Sequence, residues 1–232
     1  MIHFTDTPEK RGITEILDSP AIQHIIPDHL SGGDARNFWD DIFAGTTHDS
    51  GNEICEDEIW SEIFGRDEDE FLFDFEIDES IRTVLDKFDS AEWDTLTEEE
   101  RVGIINLFVQ VLADKLDLEN TPEVVFFDGP HSSLGAFCPS ENRVELNSAL
   151  LDHPNLLRNV IPHEMRHAYQ HHRADVQENW VDVLYLINFN NYISPVRLSD
   201  NTYLYYTDYR DQLVEAEARA FAKLFSGKEE SL

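Results

Sequence analysis

An α+β fold is predicted by three features of the sequence. A capped, apolar-periodic stretch opens at Thr97, a β-branched and aromatic run followed by a hairpin pattern lies between Pro122 and Asn147, and helical periodicity resumes over about 155–173 and 209–225. Helices and strands that follow one another in blocks, without alternating, segregate into an α+β arrangement. The predicted architecture is therefore a domain over residues 96–232, with helices packed on a small sheet that has an edge strand. An acidic, mainly helical or irregular region over residues 1–95 precedes it.

Each element has its own signal. In the N-terminal region acid is dense, with runs at Glu53–Glu58 and Asp67–Glu70 and few basic partners. A short motif recurs there, Phe38-Trp39-Asp40-Asp41-Ile42-Phe43 and then Ile59-Trp60-Ser61-Glu62-Ile63-Phe64. Trp, Ile and Phe share one side of a helical turn in both copies. Two readings stay open: short helices that clamp onto a core through Trp39 and Trp60, or a segment that covers a cleft or docks a partner. Thr97 with Glu100 forms a capping-box signature ahead of a helix that runs to about Leu116. Val124–Phe127, ended by Gly129-Pro130, reads as a strand. Leu134–Cys138, a turn at Pro139–Asn142 and Arg143–Asn147 read as a hairpin, the last segment half-exposed because Val144 and Leu146 alternate with charge. The stretch from Trp180 to Tyr206 is aromatic and fits neither period.

Composition excludes several function classes. The 232 residues carry 48 Asp+Glu against 17 Lys+Arg, a formal charge of −31, so a contact dominated by nucleic-acid phosphates or anionic lipid is not expected. Hydrophobic residues at 41% are too many for a wholly disordered acidic chain. Two cysteines, Cys55 and Cys138, make no disulfide framework. The start Met1-Ile2-His3-Phe4 lacks the basic and apolar regions of a signal peptide, and Ile104–Ala113 is too short to span a bilayer. The expectation is a soluble cytoplasmic protein with neutral or basic partners.

The chemistry is concentrated in Pro162-His163-Glu164-Met165-Arg166-His167, which contains His-Glu-x-x-His. Residues four apart on a helix differ by about 40° around the axis and about 6 Å along it. The imidazoles of His163 and His167 can therefore meet at one metal ion, with Glu164 beside it as a base for water. Pro162 either begins the helix there or kinks it. Zinc sites of the catalytic kind use three protein ligands. The third is expected from Tyr209–Ala222: Glu215 shares a face with Ala218 and Ala222, Glu217 with Leu213 and Phe221. Glu215 is favoured, and Glu217 remains the alternative.

His163-Glu164-Met165-Arg166-His167, followed 48 positions later by Glu215-Ala216-Glu217-Ala218-Arg219-Ala220-Phe221-Ala222, resembles the zincin metallopeptidases of the gluzincin type. Within them the chain is similar to the small bacterial and phage ImmA/IrrE-like peptidases, over about residues 97–226. The resemblance implies a zincin-like domain in which His163, His167 and Glu215 bind Zn2+ and Glu164 is the general base of peptide-bond hydrolysis. The long aromatic interval before Glu215 departs from the pattern, and no basic DNA-binding module accompanies the motif.

Such a mechanism needs a second donor for the developing oxyanion, and Tyr203, Tyr205, Tyr206, Tyr209 and His153 qualify by residue type. Arg143–Asn147 is the expected edge strand for pairing with an extended protein or peptide substrate. His171 continues the His163–His167 face but lies too far along the helix for the same ion. Cys138 reads either as a buried strand residue or as a thiolate that caps the zinc. Two further expectations concern the acidic region: a binding protein with structural or no metal whose acidic part takes a basic partner, or an enzyme whose cleft that region fills.

Overall fold

In the computed structural model residues 71, 73–130, 133–198 and 203–226 are described. The paired stripes around Trp39 and Trp60 lie outside them. The described chain begins with a segment free of regular structure in which half-buried Phe73, Phe75 and Ile77 alternate with exposed Asp74 and Glu76. Asp78 then caps helix α1 (Glu79–Leu85), its carboxylate accepting from the N–H groups of Ser80 and Ile81 at 3.0 and 3.1 Å. A short 3₁₀ turn leads to α2 (Ser90–Trp93). Trp93 is fully buried, stacks on Phe88 at 5.0 Å, and donates its indole N–H to the Leu151 carbonyl at 2.8 Å.

Helix α3 (Glu98–Lys115) starts with the capping box expected at Thr97 and Glu100, and both reciprocal hydrogen bonds are present. Its buried face carries Ile105, Phe108, Val109, Leu112 and Ala113. Strands β1 (Glu123–Phe127), β2 (Gly135–Cys138) and β3 (Arg143–Asn147) form a sheet in the order β1-β3-β2. The expected hairpin is β2–β3, antiparallel, with Gly135 opposite Leu146 and Cys138 opposite Arg143. Asn142 closes its turn in the left-handed region at φ 46°, a conformation Asn tolerates. β1 pairs with β3 in parallel. That pairing corrects one expectation: Arg143–Asn147 is central, its two sides being taken by β1 and β2, which are the outer strands of the sheet.

Helix α4 (Pro154–Val176) begins with Pro154 in its first turn and passes through Pro162 without ending. A proline donates no hydrogen bond, so the carbonyl of Arg158 lacks its usual helical donor. Helix α5 (Trp180–Asn190) follows behind a capping box of Asn179 and Asp182. A two-stranded antiparallel ribbon, β4 (Val196–Arg197) with β5 (Tyr203–Leu204), completes the interval that the sequence left undecided. The single helix expected over 209–225 is two: α6 (Tyr206–Arg210) and α7 (Leu213–Lys223). The break is at Gln212, extended at φ −71° and ψ 148° and fully buried. Its amide donates to the carbonyls of Ile193 and Tyr209 and accepts from Asn188 Nδ2 at 3.0 Å.

Helix α4 lies at the centre, against α7, α5, α3 and the sheet. The main core draws Leu157, Ile161 and Met165 from α4, Phe108 from α3, Val144 and Leu146 from β3, and Phe221 from α7, with Phe225 just beyond it. Ile81, Phe88 and Trp93, which precede residue 96, belong to the same core, and Phe73 and Phe75 meet Phe221 edge-on at 5.4 and 4.9 Å. The architecture is α+β, helix-rich with a small sheet, as in zincin-like peptidase domains. Among the described residues no helix is long and apolar enough to cross a membrane.

Candidate metal centre

His163 and His167 stand one turn apart on α4, and Glu215 enters from the first turn of α7. The break at Gln212 makes that placement possible, because the helix N-terminus, where unpaired N–H groups favour negative charge, begins just ahead of Glu215. The two Nε2 atoms are 3.2 Å apart. Glu215 Oε2 lies 3.6 Å from His163 Nε2, and Oε1 lies 3.4 Å from His167 Nε2. Ligands at 2.0–2.1 Å from a tetrahedral ion are separated by roughly 3.3–3.4 Å. The two imidazole nitrogens are therefore already close to that spacing, each has an oxygen of Glu215 within 3.6 Å, and one donor atom from each of the three residues lies within 4.8 Å of the others; their chemistry, two imidazoles and a carboxylate, suits zinc.

The electrostatics favour a cation at this point. Burial disfavours ionisation of Glu215, but the charges and hydrogen bonds of His167 and His163 outweigh it and hold the carboxyl far below its ordinary range. Burial likewise acts against a charged His167, and the Glu215 carboxylate overcomes it, pushing the imidazole up to about 9. A carboxylate with this field, 2% exposed, favours positive charge beside it. Tyr192 donates its hydroxyl to Glu215 Oε1 and so helps to fix the carboxylate.

A cavity of about 410 Å³ opens on these groups. Gly135, Ala136 and Phe137 of the outer strand β2 line it, as do Phe189, Tyr192 and Tyr209. Glu164 lines the same cavity, 6% exposed. Burial raises its carboxyl above the ordinary value, against the opposing pull of His163, His167 and the Phe137 N–H. Gly135 makes the closeness of strand and helix possible: a Cβ there would lie 2.9 Å from Val160 Cγ1, 3.1 Å from the Glu145 carbonyl oxygen and 3.3 Å from Glu164 Cγ.

The other sequence candidates divide. Of the five oxyanion candidates only Tyr209 lines the cavity; Tyr203, Tyr205 and Tyr206 are exposed, and His153 is at the exposed start of α4. His171 lines the cavity as a stacking partner of Phe189, ring centroids 3.7 Å apart. Cys138 is half-buried beside Ser140 and outside the cavity. Glu217 faces away from the histidines: it accepts from Arg166, from Tyr185 Oη at 2.8 Å and from Gln170 Nε2 at 2.7 Å. Tyr192, Phe189 and Gln170 had no sequence signal, since no fixed spacing links them to the motif.

The sequence profile of peptidase family M48 matches residues 100–223, more than half of the chain, from α3 to the end of α7. All four residues of the candidate centre fall within it. No curated protein and no solved structure matches the chain.

Proposed function

Because the chain belongs to peptidase family M48, a family of metallopeptidases, we propose that it hydrolyses peptide bonds with zinc held by His163, His167 and Glu215 and with Glu164 as general base. The observation that carries this reading is the convergence of one donor atom from each of those three residues to within 4.8 Å of one another from two separate helices. When bound, zinc supplies a Lewis acid that polarises a carbonyl and lowers the pKa of water towards 7.

The chain's own residues supply the rest. The buried Glu164 carboxylate, its affinity for protons raised by burial, takes a proton from the attacking water and delivers it to the leaving amine. The outer side of β2, unpaired among the described residues, pairs with the main chain of an extended substrate, which lays the scissile bond along the cavity wall. Tyr209 is the second donor for the oxyanion, being the one sequence candidate on the cavity. Substrates in this reading are extended protein or peptide segments, basic ones favoured by the charge of −31. The Glu215–Ala222 pattern supports a nearer likeness to the small ImmA/IrrE-like peptidases, and the chain acts in the cytoplasm.

Glu164→Gln tests the mechanism. The variant is expected to bind zinc like the wild type and to lose about 10²–10⁴-fold in peptide hydrolysis. Unchanged hydrolysis of a peptide library by the zinc-loaded variant would rule Glu164 out as the base.

A further inference from the structure

We propose that Gln170 is a positioning residue that fixes His167 with its Nε2 lone pair turned to the centre, and that Glu217 acts through Gln170. The inference rests on the metal reading above. Gln170 is fully buried one turn beyond His167 on α4. Its Oε1 lies 2.9 Å from His167 Nδ1, while its Nε2 donates to the Val214 carbonyl at 3.0 Å and to Glu217 Oε2 at 2.7 Å.

Hydrogen-bond chemistry orients the amide. Both amide hydrogens go to acceptors, a backbone carbonyl and the carboxylate that also accepts from Arg166 and Tyr185. A flipped amide would set Oε1 against those two acceptors and leave them without donors in a buried site. Oε1 is therefore the atom that faces the imidazole. Since it only accepts, Nδ1 must carry the hydrogen, and in the neutral ring the lone pair is on Nε2. Nε2 is the atom 3.4 Å from Glu215 Oε1 and 3.2 Å from His163 Nε2.

Glu217 is held in turn by Arg166 and Tyr185, and the Arg166 guanidinium lies over the ring of Tyr169 at 4.2 Å. Val214 directly precedes Glu215. One amide thus connects a proposed ligand on α4 to the backbone that presents another on α7, and the second carboxylate of Glu-Ala-Glu acquires a role without touching the ion. Groups that orient a metal-bound histidine through its other nitrogen commonly change metal affinity 10–100-fold when removed.

Zinc dissociation constants from chelator competition, for the wild type, Gln170→Leu and Gln170→Glu, test the inference. Both variants lose the hydrogen bonds to Val214 and Glu217, but only the glutamate retains an acceptor for Nδ1–H. The leucine variant is expected to bind zinc 10–100-fold more weakly, with the glutamate variant between it and the wild type. Affinity within twofold of wild type in the leucine variant, or equal losses in both, would overturn the assignment. Should the variants not fold, nitrogen NMR of the zinc-loaded wild type decides. A His167 Nδ1–H resonance protected from exchange with water is expected, and a rapidly exchanging one refutes the proposal. A wild-type chain that takes up no zinc would instead remove the metal reading, and this inference with it.

Discussion

Glu215 and Glu217, two positions apart on one helix, do opposite work. Glu215 faces two imidazoles, and Glu217 neutralises the buried Arg166. The sequence marks both as inward-facing and favours Glu215 without excluding Glu217, because the choice depends on the break at Gln212 and on which side of α7 meets α4. The histidine pair was legible, since helical periodicity alone brings residues four apart together. Glu217→Ala leaves a buried guanidinium without its partner, so urea denaturation should show a loss of about 3–5 kcal/mol. A loss below ~1 kcal/mol would mean that Arg166 finds compensation elsewhere. Acid should weaken zinc binding in a defined window. With His167 pushed up to about 9, an incoming ion must displace its proton at any lower pH. Apparent affinity in chelator competition should therefore climb about tenfold per pH unit towards 9 and level off above it. A flat profile between pH 6 and 8 would contradict the coupling of His167 to Glu215.

Local signals carried some elements and failed at others. The capping box at Thr97 and the β2–β3 hairpin were readable because their determinants are contiguous in the chain. The position of β3 was not, since its parallel pairing with β1 joins segments about 20 residues apart and nothing in Arg143–Asn147 specifies a second neighbour. That pairing leaves β1 and β2 as the outer strands, and Gly135 brings β2 against α4. Gly135→Ala should cost about 1–3 kcal/mol by overpacking against Val160 and the Glu145 carbonyl. It should also lower kcat/KM, because β2 and Glu164 cannot keep their separation. Thermal denaturation together with peptide hydrolysis would show both effects, and wild-type behaviour in both assays would mean that the strand is not held as closely as the contacts require.

At the scale of the molecule, charge and packing divide the chain at different places. The acid-rich composition reaches to about residue 95, yet Phe73, Phe75, Ile81, Phe88 and Trp93 are built into the core around α4. The alternation Phe73-Asp74-Phe75-Glu76-Ile77 reconciles the two, one side apolar and packed, the other acidic and exposed. Helix α4 joins that core to the candidate centre, with Met165 facing one and His163 and His167 the other. An ion bound only by the folded chain adds stability by mass action, about 2.7 kcal/mol at a free concentration 100 times the dissociation constant. The most direct test of the account is zinc stoichiometry by elemental analysis of the purified full chain, alongside His167→Ala and Glu215→Ala. One zinc per wild-type chain is predicted, with most of it lost from either variant. A zinc-free wild type after incubation with the ion, or full occupancy in both variants, would contradict a centre built from α4 and α7.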